Sequence, residues 1–280
     1  MRITRVATHM DDRGSEPNRA ERLGVALVTG GASGIGRELS RQFARNGHDV
    51  VAVDLDESGL DALECDLEAE PGSVVATIPV DLTSGDAADR IVDHVEETGR
   101  VVDTLVNNAG VPVYGRFTET DWTDERAMIR LNVEALTALT DRFLGGMCDR
   151  GRGRILNTAS IAGVVPTPTA AVYGATKAYV LSFSLALAEE LDAEPVTVTA
   201  LCPGETDTGF MHRGGMDRSA VARGDLLEPG VVAAAGYEGA MAGKRVVVPG
   251  RRDRLRYHLA KVLPRRFTAR LTRRVWSGPR

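Results

Sequence analysis

The chain has 280 residues, 43% of them hydrophobic, which is enough for one large α/β domain or two small ones. Its formal net charge is −5, but residues 251–280 hold eleven Arg or Lys and one acid, so residues 1–250 sum to −15. So acidic a body is not typical of a nucleic-acid binder, and the basic tail needs its own explanation.

The first 23 residues are polar and have no apolar core, so they predict a flexible leader and not a secretory signal. The sequence contains no run of 18 apolar residues, so it predicts no membrane span. Cys65, Cys148 and Cys202 are widely spaced and predict neither a disulfide framework nor a metal site. We therefore expect a reducing, cytoplasmic setting.

From residue 24 onward, apolar runs alternate with segments of helical length and period. The predicted strands are 25–30, 49–55, 74–82, 102–110, 154–160, 196–204 and 245–250. The predicted helices are 35–46, 58–69, 84–98, 121–149, 170–191 and 228–242. Strands rich in Val, Leu and Ile without alternation indicate a parallel sheet buried on both faces. The pattern predicts one Rossmann-type, doubly wound α/β domain over residues 24–250, with about seven strands and helices on both faces.

The segment "TGGASGIG", residues 29–36, joins the first strand to the first helix. In a dinucleotide site, Gly30 would allow a tight turn, Gly34 would let the backbone approach a pyrophosphate, and Gly36 would let the helix pack on the sheet. The helix N-terminus would then bind the anion. The alternative is an ordinary glycine-rich turn between strand and helix.

The second strand ends near Asp54, 20 residues after Gly34, which is about the spacing of the acid that holds the ribose hydroxyls. A carboxylate there repels a 2′-phosphate, and no Arg or Lys lies within residues 29–36 or directly after Asp54. The sequence therefore predicts NAD, with NADP less favoured. We expect the neighbouring Asp56 to face water; the alternative for Asp54 is a solvated turn aspartate.

The third and fourth strands end in further polar and small residues. Asp81, followed by Leu82, could accept from an adenine amino group, while Asn108, Ala109 and Gly110 would let backbone pass close to a cofactor. Simple loop chemistry is the alternative for both stretches.

"AVYGATKAYV", residues 171–180, places Tyr173 and Lys177 four apart in a bland apolar stretch. The chain has only three lysines among its 34 basic residues, so this lysine is unusual. Residues four apart share a helix face. A neighbouring ammonium should lower the pKa of the phenol toward the range of proton transfer, and it suits a ribose hydroxyl better than a guanidinium would. Coincidence is the alternative.

Two further polar residues belong with this pair. Ser160 ends the fifth strand and could hydrogen-bond a substrate oxygen, or it could merely cap a turn. Asn132 lies in the apolar stretch "IRLNVEAL", where it could bend a helix and hold a water, or be a satisfied core amide.

The ordered set "TGGASGIG", "VDL", "NNAG", "LN", "TAS", "YGATK" and "CPGETDTGF" over roughly residues 24–250 resembles the single-domain branch of the short-chain dehydrogenase/reductase family. The resemblance implies a catalytic tetrad. Tyr173 would be the proton donor or acceptor, and Lys177 would lower its pKa and bind the nicotinamide ribose. Ser160 would steady the substrate oxygen, and Asn132 would keep a relay water.

The resemblance also implies the cofactor site and the assembly. The implied cofactor residues are Gly30, Ser33, Gly34, Ile35, Gly36, Asp54, Asp81, Leu82, Asn108, Ala109, Gly110, Tyr173, Lys177, Pro203, Gly204, Thr206 and Thr208. Thr206 departs from the family, which usually has a hydrophobic residue there, and Thr208 matches the position that contacts the nicotinamide amide. Family members are commonly homotetramers or homodimers built on helices matching 121–149 and 170–191.

These observations predict an NAD(P)-dependent enzyme that interconverts a secondary alcohol and a ketone by hydride transfer. A non-catalytic nucleotide-sensing protein on the same fold is the alternative, since fold alone does not decide function. We expect the loop after the sixth strand to cover the pocket. Several apolar residues could line this pocket and favour a lipophilic substrate, or could only pack the loop. They are Val164, Val165, Pro166, Phe210, Met211 and Met216.

The basic tail carries an apolar residue at every fourth position, with Arg and Lys between. These residues are Leu255, Leu259, Leu263, Phe267, Leu271 and Val275. Pro264 should divide the tail into two helices, 251–262 and 265–276. They could pack on the acidic body or on a partner subunit, or lie peripherally on an anionic membrane, where Trp276 would suit the interface. We predict a tail that is dispensable for the hydride chemistry.

Overall fold

The computed structural model describes residues 23–210 and 226–276, and in it seven parallel strands form one sheet in the order β3-β2-β1-β4-β5-β6-β7. The strands are β1 (Val25–Thr29), β2 (Asp49–Asp54), β3 (Val74–Pro79), β4 (Val102–Asn107), β5 (Gly153–Thr158), β6 (Val196–Leu201) and β7 (Val246–Val247). The predicted doubly wound sheet is thereby confirmed. Each strand is shorter than its predicted range, because the residues at its carboxyl end leave the sheet as loops.

Helices cover both faces of this sheet. They are α1 (Gly34–Arg45), α2 (Glu57–Leu67), α3 (Ala87–Glu97), α4 (Trp122–Ile129), α5 (Leu136–Asp149), α6 (Ala171–Glu190), α7 (Pro229–Met241), α8 (Arg251–Val262) and α9 (Arg265–Trp276). Successive residues of a strand point to opposite faces. Leu27 of β1 accordingly packs with the core under α3, α5 and α6, whereas Val28 packs with the core under α1, α2 and α7.

The single helix predicted over 121–149 is wrong in one detail. A π-helical segment, Arg130–Ala135, interrupts it between α4 and α5. The buried Asn132 amide lies in this segment. Its oxygen accepts from the Val111 backbone N–H and its nitrogen donates to the Val111 carbonyl, so its partners lie outside the helix. Such π-bulges occur mostly as single turns and are frequent at functional sites.

Within the described part of the chain, α6 is the one helix with the length and hydropathy of a membrane span. Its Leu187 belongs to the core on one face of the sheet, and its Tyr173, Val180 and Ser184 are also buried. Packing against the sheet therefore accounts for its apolar composition.

The basic tail folds as predicted into α8 and α9, on either side of Pro264. α8 begins after Gly250, whose φ of 79° lies in the region that favours glycine. In its first turn, Asp253 is buried against Gly204, where an added Cβ would lie 2.2 Å from the Asp253 Oδ2. This contact ties the tail to the loop after β6.

Candidate active site

A cavity of about 930 Å³ opens at the carboxyl ends of the strands, where ligands bind in folds of this type. Every predicted site residue lines it except Gly36 and Asn132. Of the residues predicted to contact the substrate, Val165 and Phe210 line it, whereas Val164 and Pro166 do not. Met211 and Met216 lie outside the described residues.

The glycine-rich turn has the shape of a cradle for a phosphate group. Gly30 and Gly34 have φ values of 67° and 54°, in the left-handed region. A Cβ on Gly36 would lie 1.9 Å from the Gly30 carbonyl oxygen, so only glycine fits where α1 meets the turn. A Cβ on Gly34 would lie 3.2 Å from Thr208 Cγ2, which places the loop after β6 across the turn. These residues fit a dinucleotide pyrophosphate at the α1 N-terminus.

Thr29, at the end of β1, was not among the predicted site residues, yet it organises this edge of the sheet. Its hydroxyl oxygen accepts from the backbone N–H of Asn108 and of Ala109, both at 3.0 Å, and donates to the Val106 carbonyl at 3.3 Å. The Asn108 side chain donates back to the Thr29 carbonyl at 3.1 Å. The ends of β1 and β4, where the strand order reverses, are thus held together.

The Asp54 carboxylate is held by backbone donors at the end of β2. Its Oδ2 accepts from Ala32 N at 3.0 Å, and its Oδ1 accepts from Leu55 N at 2.7 Å and Asp56 N at 3.1 Å. Oδ2 therefore keeps a lone pair for a further donor such as a ribose hydroxyl. Asp56 is exposed and caps α2 by accepting from Gly59 N at 3.1 Å.

Two cations, Lys177 and Arg256, are among the described residues that line the cavity. Arg256 is already bonded to Glu205 at 3.0 Å and to Asp253 at 3.2 Å, away from Asp54. Among the described residues of the lining, no free cation is thus available near Asp54 for a 2′-phosphate. At the end of β3, Asp81 uses Oδ1 to accept from the backbone and hydroxyl of Thr83, each at 2.8 Å.

Tyr173 and Lys177 lie on the first turns of α6 and are both buried. The Lys177 ammonium donates to the Thr158 carbonyl oxygen at 2.8 Å. Burial lowers the pKa of Lys177 to about 8. Burial also raises the pKa of Tyr173 to about 12, although a hydrogen bond with Ser160 acts to lower it. The loss of water around the phenol sets the direction of this pKa shift, and the lowering of the Tyr173 pKa by Lys177 stays a prediction.

Ser160 forms the turn cap that was one of its two interpretations, and its position leaves the other, a hydrogen bond to a substrate oxygen, as a prediction. It lies two residues beyond the end of β5, caps the short 3₁₀ helix Ile161–Gly163 by accepting from Ala162 N at 3.1 Å, and lines the cavity. Its hydroxyl also lies 3.5 Å from the Pro203 carbonyl oxygen, at the limit of a hydrogen bond.

Asn132 lies behind the cavity wall as a satisfied amide. Its side chain exchanges two 3.0 Å hydrogen bonds with the Val111 backbone and donates to the Thr176 hydroxyl at 3.1 Å. A Cβ on Gly110 would lie 3.0 Å from Asn132 Oδ1 and 3.4 Å from Lys177 Nζ. Asn132 therefore fixes the loop after β4 directly over the ammonium.

The tail contributes a large part of the wall, which the sequence analysis missed. The tail residues that line the cavity are Arg256, Tyr257, Leu259, Ala260, Leu263, Thr268, Leu271, Thr272 and Trp276. That the tail is dispensable for the hydride chemistry stays a prediction. The four-residue spacing of Thr268, Thr272 and Trp276 was a usable signal, because it places all three on one face of α9.

The comparisons with known proteins agree with this geometry. The family model described as short chain dehydrogenase matches residues 24–218, which is well over half of the chain. The chain belongs to the short-chain dehydrogenase/reductase family. It is an NAD(P)-dependent oxidoreductase of that family, acting on CH–OH groups.

Three similar proteins illustrate the range of the family. The NADP-dependent 3-hydroxy acid dehydrogenase YdfG of Salmonella typhi is 37% identical over 185 residues, covering 64% of this chain and 71% of its own. A short-chain dehydrogenase from Sphingobium yanoikuyae, solved with NADPH, is 31% identical with a TM-score of 0.74, over 86% of this chain and 96% of that one. The bulky-bulky ketone specific alcohol dehydrogenase from Comamonas testosteroni is 27% identical with a TM-score of 0.72, over 87% and 96%.

Proposed function

We propose that the protein interconverts a lipophilic secondary alcohol and its ketone, with NAD as the preferred cofactor. The observation that carries the proposal is one cavity in which a buried Tyr173–Lys177 pair, Ser160 and a glycine cradle lie together. Bound NAD(P) supplies the hydride acceptor or donor. The protein's own residues supply orientation and the proton.

Each polar residue has a task that its position supports. Tyr173 gives its phenolic proton to the ketone oxygen in reduction and takes it back in oxidation. Ser160 steadies the same oxygen by hydrogen bonding. Lys177 holds a ribose hydroxyl with its ammonium. Asn132 positions the loop over Lys177, and the relay water implied by the family resemblance stays a prediction.

The lipophilic substrate follows from the wall around Tyr173. The Phe210 ring lies 5.8 Å from the Tyr173 ring, and Val111, Leu131 and Val165 line the same cavity. α8 and α9 add further apolar side chains to it. A pocket with few polar groups and a large apolar wall favours an apolar ligand fixed by its one oxygen.

A panel of ketones with NADH tests this proposal. We expect aryl and other apolar ketones to be reduced with kcat/KM at least about tenfold above that of a polar sugar ketone, because an apolar wall leaves sugar hydroxyls unpaired. NADH absorbance gives the rates. Faster turnover of the sugar would contradict the lipophilic substrate. Cofactor binding without turnover of any ketone would favour the nucleotide-sensing protein.

The preference for NAD depends on Asp54, and the relatives that use NADP or NADPH make it a feature to be tested in this chain. The carboxylate would repel a 2′-phosphate, and the described residues of the cavity lining offer no free cation beside it. We expect kcat/KM for NADH to exceed that for NADPH by about tenfold or more.

Asp54→Ala should bring the two values of kcat/KM within about threefold of each other, because the repulsion is removed. Asp56→Asn is the matched control. It keeps the α2 cap that Asp56 forms with Gly59 and should leave the ratio unchanged. Equal use of NADH and NADPH by the unaltered protein would show that Asp54 does not select the cofactor.

The oligomeric state and the cellular location of the protein are separate questions from the chemistry of the pocket. A homotetramer or homodimer and a cytoplasmic location stay predictions. The tail exposes Leu255, Val262 and Phe267, but the aromatic residue expected to anchor it at a membrane, Trp276, is buried in the cavity wall. The proposal therefore assigns the tail to the pocket and not to a membrane.

A further inference from the structure

We propose that α8 and α9 form one wall of the substrate pocket and that Trp276 sets the size of the substrate it accepts. This inference rests on the proposed ketone–alcohol reaction for its kinetic test. It also predicts a contact that can be measured without turnover.

One face of α9 is built to border an apolar ligand. Thr268, Thr272 and Trp276 follow one another at four-residue intervals, and all three line the cavity. The Thr268 hydroxyl donates to the Arg265 carbonyl at 3.0 Å, and the Thr272 hydroxyl donates to the Thr268 carbonyl at 2.8 Å. Because the helix backbone satisfies both hydroxyls, the two threonines add little free hydrogen-bonding capacity to this wall.

The opposite side of α9 is of a different character. Its arginines at 266, 270, 273 and 274 are exposed and make no ion pair within the described part of the chain. The helix therefore turns its charge to solvent and its threonines, Leu271 and indole to the cavity. This separation is that of an amphipathic wall.

Trp276 shares a buried cluster with the proposed proton donor. It belongs to one buried cluster with Met128, Ala162, Ala170 and Tyr173. Phe210 packs against the same cluster. A ketone whose oxygen reaches Tyr173 would therefore lie against this cluster, and the indole, which lines the same cavity, would limit the space for its substituents.

The end of α9 is fastened to the body of the domain. The Tyr114 hydroxyl donates to the backbone carbonyl of Trp276. The next residue, Gly115, donates from its backbone to the Thr169 carbonyl at 2.8 Å, just before α6. The loop after β4 thus links the end of α9 to the start of the helix that carries Tyr173 and Lys177. At the other end of the tail, Asp253 is wedged against Gly204.

Trp276→Ala is the direct test, with 2-butanone, acetophenone and benzophenone as ketones of increasing size. We expect the ratio of kcat/KM for benzophenone to that for 2-butanone to rise at least about tenfold, because deleting the indole opens space beside Tyr173. Trp276→Phe should raise the ratio less and keeps the test usable if the alanine variant does not fold. A ratio unchanged in both folded variants would overturn the proposal.

Phe267→Ala is the matched control, since it also removes an aromatic ring from α9, but one that is exposed and does not line the cavity. It should leave the size ratio unchanged. A shift equal to that of Trp276→Ala would mean that the ratio reports only the general stability of α9, and this would also overturn the proposal.

Fluorescence separates this inference from the proposed reaction. The chain has two tryptophans, and Trp122 is exposed, so Trp122→Phe leaves Trp276 as the single reporter. We expect benzophenone to quench its emission saturably, with or without turnover. Failure of every ketone as a substrate would then refute the reaction but not the wall. Ketone binding by calorimetry without any change in Trp276 emission would refute the wall.

Discussion

Replacing Tyr173 by phenylalanine should lower kcat for ketone reduction about a thousandfold, within the range that a positioned acid or base contributes. The hydroxyl is the group lost, and the ring that packs with Met128, Phe210 and Trp276 remains. We therefore expect the melting temperature and the Kd for NADH, measured by calorimetry, to stay close to those of the unaltered protein.

Tyr179→Phe provides the control on the same helix. Tyr179 is partly exposed, and its hydroxyl shares a 3.0 Å hydrogen bond with Thr137, away from the cavity. Its loss should change kcat less than about twofold. Substantial turnover by the Tyr173→Phe variant would rule out this phenol as the proton donor.

Replacing Lys177 by methionine should lower kcat/KM about a hundredfold and weaken NADH binding, because the ammonium proposed to hold the ribose is lost. Methionine keeps an unbranched stem in the buried site. Lys177→Arg should not restore activity, because the planar guanidinium is wider than the ammonium and Gly110 already lies close to Lys177 Nζ. Activity of the arginine variant near that of the unaltered protein would show that only the charge matters.

The same residue predicts a pH dependence. The pKa of Lys177 is lowered to about 8, so its ammonium is charged below that pH and loses its proton as the pH rises through it. Tyr173, with its pKa raised to about 12, stays protonated over the same range. The rate of reduction should therefore fall as the pH rises through about 8, and the fall should vanish in Lys177→Met. A fall that persists in this variant would have to come from another group.

The parts of the site that depend on local spacing could be predicted from the sequence. The turn through Gly30, Gly34 and Gly36 needs glycine for reasons of backbone geometry, and four-residue spacing places Tyr173 and Lys177 on one face of a helix. Asn132 stood out as a polar residue in an apolar helix, and the π-helical segment lies around it.

The parts that depend on burial or on distant contacts could not. The raised pKa of Tyr173 follows from the exclusion of water by residues from several separate segments of the chain, which no local pattern encodes. The place of α9 likewise depends on distant contacts, such as the hydrogen bond from Tyr114 to the Trp276 carbonyl. Periodicity predicted both tail helices but not the surface that they would cover.

The two sides of the cavity differ in how well they should tolerate amino-acid substitution. The fit at Gly36 is tight, whereas α8 and α9 contribute a wall of side chains. Any side chain at Gly36 would clash with the Gly30 carbonyl, so this position cannot accept a substitution without a change in the backbone. Trp276, Leu271 and Leu259 line the cavity on helices, where no comparably close backbone contact among the described residues restricts the size of the side chain, so they can be exchanged for larger or smaller ones. New substrate ranges should therefore arise by variation in the last thirty residues, and grafting that segment between relatives is a practical route to altered selectivity.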